Sequence, residues 1–338
     1  MEASRSGVRI SIVPPPWQRV LVTGAGGFVG SHLCEALTGL GVEVIGLEGF
    51  VPSYPRRYKE HNLERLLADR RFTLVQADLR TDDLAPHLDG VDVVINEAAF
   101  PGLPRSWSDV PSYVDCNLTG LSRLVDASRA AGVRRFVQAS SSAVYGATAC
   151  GDEQAPTRPI SPYGVTELAA ENLLLAHVHV HGFPAVILRY FSIYGPRQRP
   201  DMAYHTMIEQ LRHDLPLHVF GDGRQSRSNT YIDDGVRGTL DAIDGGSIGE
   251  VYNLGGGVEM ELLEAVELLA AALGVRPQVR HEPARIGDQR RTHADISKAT
   301  EAFGFRPVVD PESGLRQQVN WHTTELAALA EPRLPVPA

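Results

Sequence analysis

The chain has 338 residues, a formal net charge of −9 and 43% hydrophobic residues, a composition typical of a globular protein with a large core. The negative balance argues against nucleic acid or an anionic membrane as the main partner, and no apolar run reaches about 18 residues, so we expect no membrane span. Cys34, Cys116 and Cys150 are widely spaced and the histidines are scattered, which predicts a cytoplasmic protein without a disulfide framework or a metal.

From Arg19 onward, short apolar strands alternate with amphipathic helices. The pattern predicts strands at RVLVTG, VEVIGLE, FTLVQADL, VDVVINEAA, RRFVQASS and PAVILRYFSIYG. Alternation at this spacing indicates an α/β fold with a parallel sheet covered by helices on both faces. The rhythm changes after about residue 195. We therefore predict a doubly wound sheet domain at 18–190 and a smaller C-terminal α/β substrate domain at 191–325, partly interleaved with the first.

Both ends of the chain fall outside these two predicted domains. Residues 1–17 lack a charged start followed by a long apolar stretch, so they predict a loose leader and not a secretory signal. The proline-rich tail EPRLPVPA predicts a frayed end.

The segment VTGAGGFVG follows the first predicted strand and opens a helix. It supplies Gly24, Gly27 and Gly30, with Phe28 and Val29 at the start of the helix. Glycines allow a tight turn and let backbone N–H groups approach a pyrophosphate at the helix N-terminus. A glycine-rich turn without a ligand is the alternative, but the strand before it and the helix after it favour a Rossmann-type dinucleotide site.

Acidic residues follow the next two predicted strands. Glu48 ends the second strand, 18 residues after Gly30, where a carboxylate would accept hydrogen bonds from the adenosine ribose and repel a 2′-phosphate. This position favours NAD over NADP, the alternative being a solvated loop acid. Asp78 follows the third strand and could reach the adenine amino group. Leu79 beside it and Ala98 after the fourth strand complete the expected cofactor contacts.

Five motifs occur in the order G-x-x-G-x-x-G, ASSSAVYG, SPYGVTE, RYFSIYGP and RSNTYIDD. Together they resemble the extended short-chain dehydrogenase/reductase family over about residues 18–325, specifically its nucleotide-sugar epimerases. The segment GPRQRPDMA resembles UDP-glucuronate 4-epimerases. The resemblance implies an NAD-dependent enzyme that converts UDP-glucuronate to UDP-galacturonate through a transient 4-keto sugar. It also implies a homodimer formed by the helices after Asn117 and at Tyr163.

In that family a serine or threonine, a tyrosine and a lysine act at the 4-hydroxyl of the sugar. The resemblance places Tyr163 on the acid/base tyrosine and Ser141 on the hydroxyl that orients the substrate, with Ser142 beside it. Asn117 is expected to support the nicotinamide side. Ser142 and Ala143 stand where 4,6-dehydratases have an Asp-Glu pair, which disfavours dehydration.

The family's lysine position is occupied by Glu167. Residues i and i+4 share a helix face, so its side chain is expected near Tyr163. A cation there would lower the phenol pKa and an anion raises it, which predicts a loss of about two to four orders of magnitude in general acid–base catalysis. The cationic nicotinamide, or protonation of Glu167, would reduce this loss, and the carboxylate can still bind the ribose diol. Three interpretations stay open: an epimerase with slow or altered chemistry, a non-catalytic binding homologue, and an introduced residue in an ordinary epimerase.

The sugar nucleotide is expected at the C-terminal region. Arg227 and Arg285 match the arginines that clamp the diphosphate, with Asp288 orienting the second. Arg199 is expected to face the 6-position of the sugar and to bind a uronate carboxylate through two hydrogen bonds, assisted by Ser192. Surface salt bridges, or a loop-stabilising role for Arg199, are the alternatives.

Two further departures from the family pattern concern the sugar pocket. Pro104 stands where arginine is common, with Arg105 beside it, and Ser228-Asn229 replaces an Asp-aromatic pair. The exact sugar therefore stays open. Decarboxylation or oxidation of a nucleotide sugar remains an alternative reaction.

Overall fold

The computed structural model describes residues 15–285 and 287–329, so residues 1–14 of the predicted leader and the proline-rich tail lie outside the described part. The strands are β1 (Arg19–Thr23), β2 (Glu43–Glu48), β3 (Phe72–Gln76), β4 (Val93–Asn96), β5 (Arg135–Ser141), β6 (Thr148–Gly151), β7 (Ala185–Tyr190), β8 (Ile193–Tyr194), β9 (Leu217–Phe220), β10 (Ser226–Ser228), β11 (Thr230–Tyr231), β12 (Val251–Leu254), β13 (Glu259–Glu261), β14 (Val279–Glu282) and β15 (Arg291–Ala294). The helices are α1 (Phe28–Gly39), α2 (Arg56–Leu67), α3 (Val110–Val114), α4 (Gly120–Ala131), α5 (Pro162–His181), α6 (Ala203–Arg212), α7 (Ile232–Gly245), α8 (Leu262–Leu273), α9 (Ser297–Phe303) and α10 (Pro311–Thr324).

A seven-stranded parallel sheet in the order β12-β7-β5-β4-β1-β2-β3 forms the centre of the molecule. The chain builds outward from β1 through β2 and β3 on one side and through β4, β5 and β7 on the other. This confirms the predicted doubly wound α/β fold of Rossmann type. In such sheets the ligand crevice lies at the carboxyl ends of the strands where the order reverses, here between β1 and β4.

The sheet is buried on both faces because its strands are apolar at successive positions. Val20 and Val22 of β1 pack in one core cluster with Leu33 of α1, whereas Leu21 packs in the opposite cluster with Leu124 of α4. Successive strand residues point to opposite faces, so one apolar run serves two helix layers. No helix within the described residues is long and apolar enough to cross a membrane.

The smaller region consists of the sheet β13-β10-β15-β6, the pairs β14-β9 and β11-β8, and helices including α6, α8 and α10. Strands cross between the two sequence ranges: β12 joins the large sheet, and β6 joins the small one. The domain boundary at residue 190 stays a prediction. Because each sequence range contributes a strand to the other range's sheet, one boundary in the sequence describes the two regions only coarsely.

Local signals fix the start and end of α5. The Ser161 hydroxyl accepts a hydrogen bond from the Gly164 N–H at 3.1 Å, Pro162 occupies the first helical position, and Gly182 ends the helix with a φ of +63°. These are favourable N-cap, N1 and C-terminal choices. They place Tyr163 on the first turn and Glu167 one turn later.

Candidate active site

The predicted site residues lie along one cleft of about 1020 Å³ at the carboxyl ends of the central strands. Eighteen of them line it: Gly24, Gly27, Phe28, Val29, Gly30, Glu48, Asp78, Leu79, Ala98, Ser141, Ser142, Tyr163, Glu167, Ser192, Arg199, Arg227, Arg285 and Asp288. Asn117 is buried behind the wall of the cleft and does not line it. The structure thus brings residues that are far apart in sequence into a single site.

The loop after β1 is a compact turn that requires glycine. Gly24 has a φ of +65°, and a Cβ on Gly27 would lie 2.9 Å from the Gly24 carbonyl oxygen, with one on Gly30 closer still. α1 begins at Phe28 with no side-chain cap on its first N–H groups and no acidic residue in its first turn. The uncapped N-terminus beside the cleft therefore favours an anionic ligand.

Three donors hold the Glu48 carboxylate at the end of β2. The Gly26 N–H donates to Oε2 at 3.1 Å, and the Phe50 N–H and Lys59 Nζ donate to Oε1 at 2.7 and 2.8 Å. An ionised carboxylate oxygen accepts two hydrogen bonds, so Oε2 retains a position for a ligand hydroxyl. The partner Lys59 was not predicted from the sequence.

Asp78, two residues beyond β3, is bound by Arg80. The Arg80 Nε and Nη2 groups donate to the two Asp78 carboxylate oxygens at 2.9 and 2.7 Å. This hydrogen bonding holds the pKa of Asp78 below its usual range. Both residues line the cleft, so an ion pair and not a free carboxylate faces the predicted adenine position.

Tyr163 lies in the middle of the cleft, next to Ser141 at the end of β5. Burial, followed by the charge of Glu167, raises the pKa of Tyr163 well above its ordinary value. The nearby Ser141 hydroxyl and the positive charge of Arg199 lower the pKa of Tyr163, in the opposite direction. Arg199 is therefore a cation close to the phenol, at a position that the sequence alone did not reveal as a substitute for lysine.

Glu167 is 4% exposed and has few polar neighbours. The Asn117 Nδ2 group donates to its Oε1 at 3.3 Å. Burial, then Glu171 and then Glu97, raise the pKa of Glu167 to about 8. Glu171 forms a buried ion pair with Arg189 at 2.7 Å, and a carboxylate held in that pair disfavours a second charge beside it.

Glu97 is a second acid on the same wall, directly after β4. The Tyr190 hydroxyl donates to its Oε1 at 2.8 Å. The same hydroxyl lies 2.7 Å from Thr239 Oγ1, and either group could be the donor in that hydrogen bond. Burial raises the pKa of Glu97 to about 8, although the hydrogen bond from Tyr190 favours ionisation. Nothing in the sequence analysis singled out this residue.

Asn117 ties the loop after β4 to α5. Its Oδ1 accepts the Phe100 N–H at 2.6 Å, and its Nδ2 donates to Thr166 Oγ1 at 3.1 Å as well as to Glu167. It lies in a π-helical turn, Asp115–Thr119, of the kind often found near functional sites. The predicted support of the nicotinamide side by Asn117 can therefore only be indirect, through Glu167.

Arg199 and Ser192, which were predicted to face the sugar, line the same cleft as Tyr163. Arg199 donates from Nε and Nη2 to the Asp201 carboxylate at 3.0 and 3.1 Å. Ser192 has a φ of +42°, a strained conformation for a residue other than glycine and one that is frequent at functional sites. An arginine already paired with Asp201 must share or exchange that partner when it binds a substrate carboxylate.

The far end of the cleft contains the two predicted diphosphate arginines. Arg227 donates to the main-chain oxygens of Ser226 and Gln289, and burial lowers its pKa. The Arg285 guanidinium lies over the Phe220 ring at 3.4 Å from the ring centre. No ion pair joins Asp288 to either arginine within the described residues, so its orienting role stays a prediction.

The two departures noted in the sugar pocket have different outcomes. Arg105 turns away from the cleft, stacking on Phe100 and donating to the Pro52 and Ser53 carbonyls, so it does not replace an arginine at Pro104. Asn229 does line the cleft, and its Nδ2 donates to the hydroxyl of another cleft residue, Tyr204, at 2.6 Å.

Comparison with known proteins agrees with this geometry. The uncharacterized UDP-glucose epimerase YtcB of Bacillus subtilis (strain 168) is 42% identical over 306 residues, covering 89% of this chain and 96% of the relative. UDP-glucuronate 4-epimerase of Thermodesulfobacterium geofontis (strain OPF15) is 32% identical over 308 residues, covering 89% and 95%. The crystal structure of UDP-glucuronic acid 4-epimerase from Bacillus cereus, in complex with UDP-glucuronic acid and NAD, superimposes with a TM-score of 0.88 at 38% identity, covering 90% and 99%.

Residues 20–255 match the NAD dependent epimerase/dehydratase family. The chain belongs to this family. It is an NAD-dependent enzyme of the epimerase class. The residues present fit the cofactor, because the uncapped start of α1 suits the pyrophosphate and the Glu48 carboxylate suits a ribose diol.

The sequence missed several polar residues that complete this epimerase-family site. Lys59, Arg80, Glu97 and Tyr190 all line the cleft, and Lys59, Arg80 and Tyr190 also donate hydrogen bonds to other residues that line it. Glu97 had a usable signal, since it directly follows a predicted central strand and ligands bind at the carboxyl ends of such strands. Lys59 and Arg80 had none, because their partners depend on how separate segments fold together.

The buried acid makes the stability of the cofactor-free protein depend on pH. The pKa of Glu167 is about 8 in the folded protein, compared with an ordinary value of 4.5. Because the folded protein holds this proton more tightly than the unfolded chain, its stability falls as pH rises between those two values. We expect Glu167→Gln to raise the thermal midpoint by at least about 2 °C at pH 8.5 and by less at pH 5. Calorimetry of the parent protein and the variant across this pH range tests the prediction. An equal shift of the thermal midpoint at pH 5 and pH 8.5 would contradict it.

Proposed function

We propose that the enzyme epimerises a UDP-sugar at its 4-position, most specifically UDP-glucuronate to UDP-galacturonate through a 4-keto sugar. One observation carries the proposal: the Tyr163 phenol lines a single cleft together with the glycine loop before α1 and the Arg199 guanidinium, which we assign to its cofactor and sugar ends. A sugar bridging these ends would place its 4-hydroxyl near Tyr163 and its 6-carboxylate towards Arg199.

Each residue then has a defined task. When bound, NAD supplies reversible hydride exchange at the C4 carbon. Tyr163 accepts the proton of the 4-hydroxyl and later returns it, while Ser141 orients that hydroxyl. The positive charge of Arg199 lowers the pKa of Tyr163, although burial outweighs it. A protonated Glu167 leaves the phenol without a full negative charge beside it.

Support for a uronate rests on Arg199. A guanidinium binds a carboxylate through two parallel hydrogen bonds, and the strained Ser192 lies in the same wall. The pair with Asp201 supports a second candidate, UDP-glucose, because a neutral 6-hydroxyl would leave that pair intact. The relatives carry names of both kinds.

Arg199→Met separates these substrates. We expect kcat/KM for UDP-glucuronate to fall by about 100-fold, since a hydrogen bond to a charged group contributes about 1.5–3 kcal/mol. For UDP-glucose, kcat/KM should fall by a smaller factor, because that substrate loses only the effect of the Arg199 charge on the Tyr163 phenol. Initial rates with both substrates provide the measurement, and an equal loss for the two would contradict a carboxylate-specific role.

The diphosphate is proposed to bind between Arg227 and Arg285 at the far end of the cleft. Arg227 is buried against main-chain oxygens, and Arg285 lies over Phe220 with no ion-pair partner within the described residues. Two guanidinium groups facing one cleft suit a diphosphate.

We also propose that two copies of this chain form a homodimer. The protein is proposed to be cytoplasmic. Exposed apolar side chains cluster where α3 packs against α5: Val110 is 41% exposed, Val114 39% and Val165 53%, with Trp107 at 56% nearby. Such a patch is typical of a protein–protein interface. It lies on the helices that the family resemblance assigns to the dimer.

Val165→Glu tests the dimer because it places a charge in the centre of that patch. We expect at least about a 100-fold weaker dimer by sedimentation, whereas Val308→Glu, at another exposed valine outside the patch, should sediment like the parent protein. A parent chain that sediments as a monomer at micromolar concentration would contradict the proposal.

Proton NMR of the enzyme with UDP-glucuronate tests the reaction. New UDP-galacturonate signals support epimerisation. A UDP-pentose would indicate decarboxylation, and accumulated NADH would indicate oxidation. No change over hours would favour a binding homologue that has lost catalysis.

A further inference from the structure

Four glutamates of the large-sheet region line or support the cleft, and they fall into two groups. Glu48 is paired with Lys59 at 2.8 Å, and Glu171 with Arg189 at 2.7 Å. Glu97 and Glu167 have no cation within ion-pair distance among the described residues; their partners are the Tyr190 hydroxyl and the Asn117 amide. Buried carboxylates are normally paired, so this second group lacks a counter-ion.

The topology places these two acids at the nicotinamide half of the cofactor site. A dinucleotide crosses a doubly wound sheet at the switch point, with its adenosine over one half and its second nucleotide over the other. Here Glu48 marks the adenosine half at β2, whereas Glu97 follows β4 on the opposite half. The oxidised nicotinamide ring is a cation, and it becomes neutral when it accepts a hydride.

We propose that Glu97 is the counter-ion of the oxidised nicotinamide ring. The inference rests on the cofactor orientation used in the proposed function. It makes Glu97 a residue that selects oxidised over reduced cofactor. An epimerase starts and finishes each cycle with the oxidised form, so this preference would stabilise the resting state of the cofactor.

The hydrogen bonds favour Glu97 over Glu167 as the acid that ionises. Tyr190 donates to Glu97 at 2.8 Å, which stabilises a carboxylate, whereas Asn117 contacts Glu167 at a longer 3.3 Å. Once Glu97 is charged it raises the pKa of Glu167, as does the paired Glu171. Glu97 is therefore the acid that carries the negative charge when the cationic ring binds, and this charge opposes ionisation of Glu167 beside Tyr163.

Other titratable groups near Glu97 do not change charge in the relevant range. Burial raises the pKa of Cys34 on α1 and of Tyr190 on β7 far above neutrality. Burial, followed by the charge of Glu167, also raises the pKa of Tyr163 on α5. Glu97 and Glu167, with pKa values of about 8, are the acids expected to titrate between pH 6.5 and 8.5.

Competition between NAD⁺ and NADH, followed by the fluorescence of bound NADH, tests the proposal without any sugar. For the wild-type enzyme we expect NAD⁺ affinity to rise about tenfold from pH 6.5 to 8.5, because one carboxyl must lose its proton, while NADH affinity stays nearly constant. Glu97→Gln should weaken NAD⁺ binding at pH 8.5 at least about tenfold, change NADH binding less than about threefold, and remove most of the pH dependence.

Glu250→Gln provides a matched control, since it removes an equal charge at an exposed acid outside the cleft and should leave the NAD⁺/NADH ratio unchanged. An unchanged ratio in folded Glu97→Gln protein would overturn the proposal. If that variant fails to fold, a pH-independent NAD⁺ affinity of the wild type would overturn it equally. Because no sugar is present, these results stand apart from the success or failure of the epimerase assay.

Discussion

Glu167→Lys is expected to raise the turnover of UDP-glucuronate 4-epimerisation by at least about 100-fold, within the usual span of general acid–base catalysis. In the parent chain, burial and Glu167 both raise the pKa of Tyr163. A lysine at this position would lie beside Glu97 and Glu171, whose carboxylates would keep its ammonium charged, and that ammonium would lower the phenol pKa. Steady-state kinetics at pH 7.5 provides the measurement.

Glu167→Gln is the matched control for this gain. It removes the acid without adding a cation, so its turnover should change by less than about tenfold. Turnover of the lysine variant equal to or below that of the parent chain would contradict the expectation. That result would show that the enzyme has rebuilt its acid–base chemistry around a carboxyl group.

Tyr163→Phe should lower 4-epimerase turnover by about 10²- to 10⁴-fold, since it removes the group that moves the 4-hydroxyl proton. NAD affinity should change by less than about threefold, because the glycine loop and Glu48 are untouched. In the Glu167→Lys background the same substitution should abolish the gain. Kinetics and cofactor titration on the same preparations separate these effects.

Tyr58→Phe is a suitable comparison, because it removes a phenol hydroxyl on α2 whose ring packs against His205 outside the lining of the cleft. Its turnover should equal that of the parent. Retained activity in Tyr163→Phe would remove this phenol from the chemistry and require another base.

The sheet and the cofactor loop were predictable because their signals are local. Apolar runs at regular spacing define the strands, and Gly24, Gly27 and Gly30 permit a turn that side chains would obstruct. The proximity of Tyr163 and Glu167 was equally predictable, since helical geometry fixes the i and i+4 relationship and Ser161 fixes the start of the helix.

The electrostatics of the site were not predictable in the same way. The pairing of Lys59 with Glu48 and the turning of Arg105 away from the cleft depend on packing between segments that are distant in sequence. The sequence also gave no reason to connect Glu97 with Glu167, which are 70 residues apart. Only the fold shows that these two acids line the same cleft and that neither has an ion-pair partner among the residues that the structure describes.

Proton NMR of the enzyme with UDP-glucuronate in deuterium oxide tests the central claim most directly. If the sugar is oxidised and reduced at C4 with Tyr163 moving the hydroxyl proton, UDP-galacturonate will form and its C4 position will keep protium, because the hydride never exchanges with solvent. Deuterium at C4, or the absence of any UDP-galacturonate over hours, would contradict it.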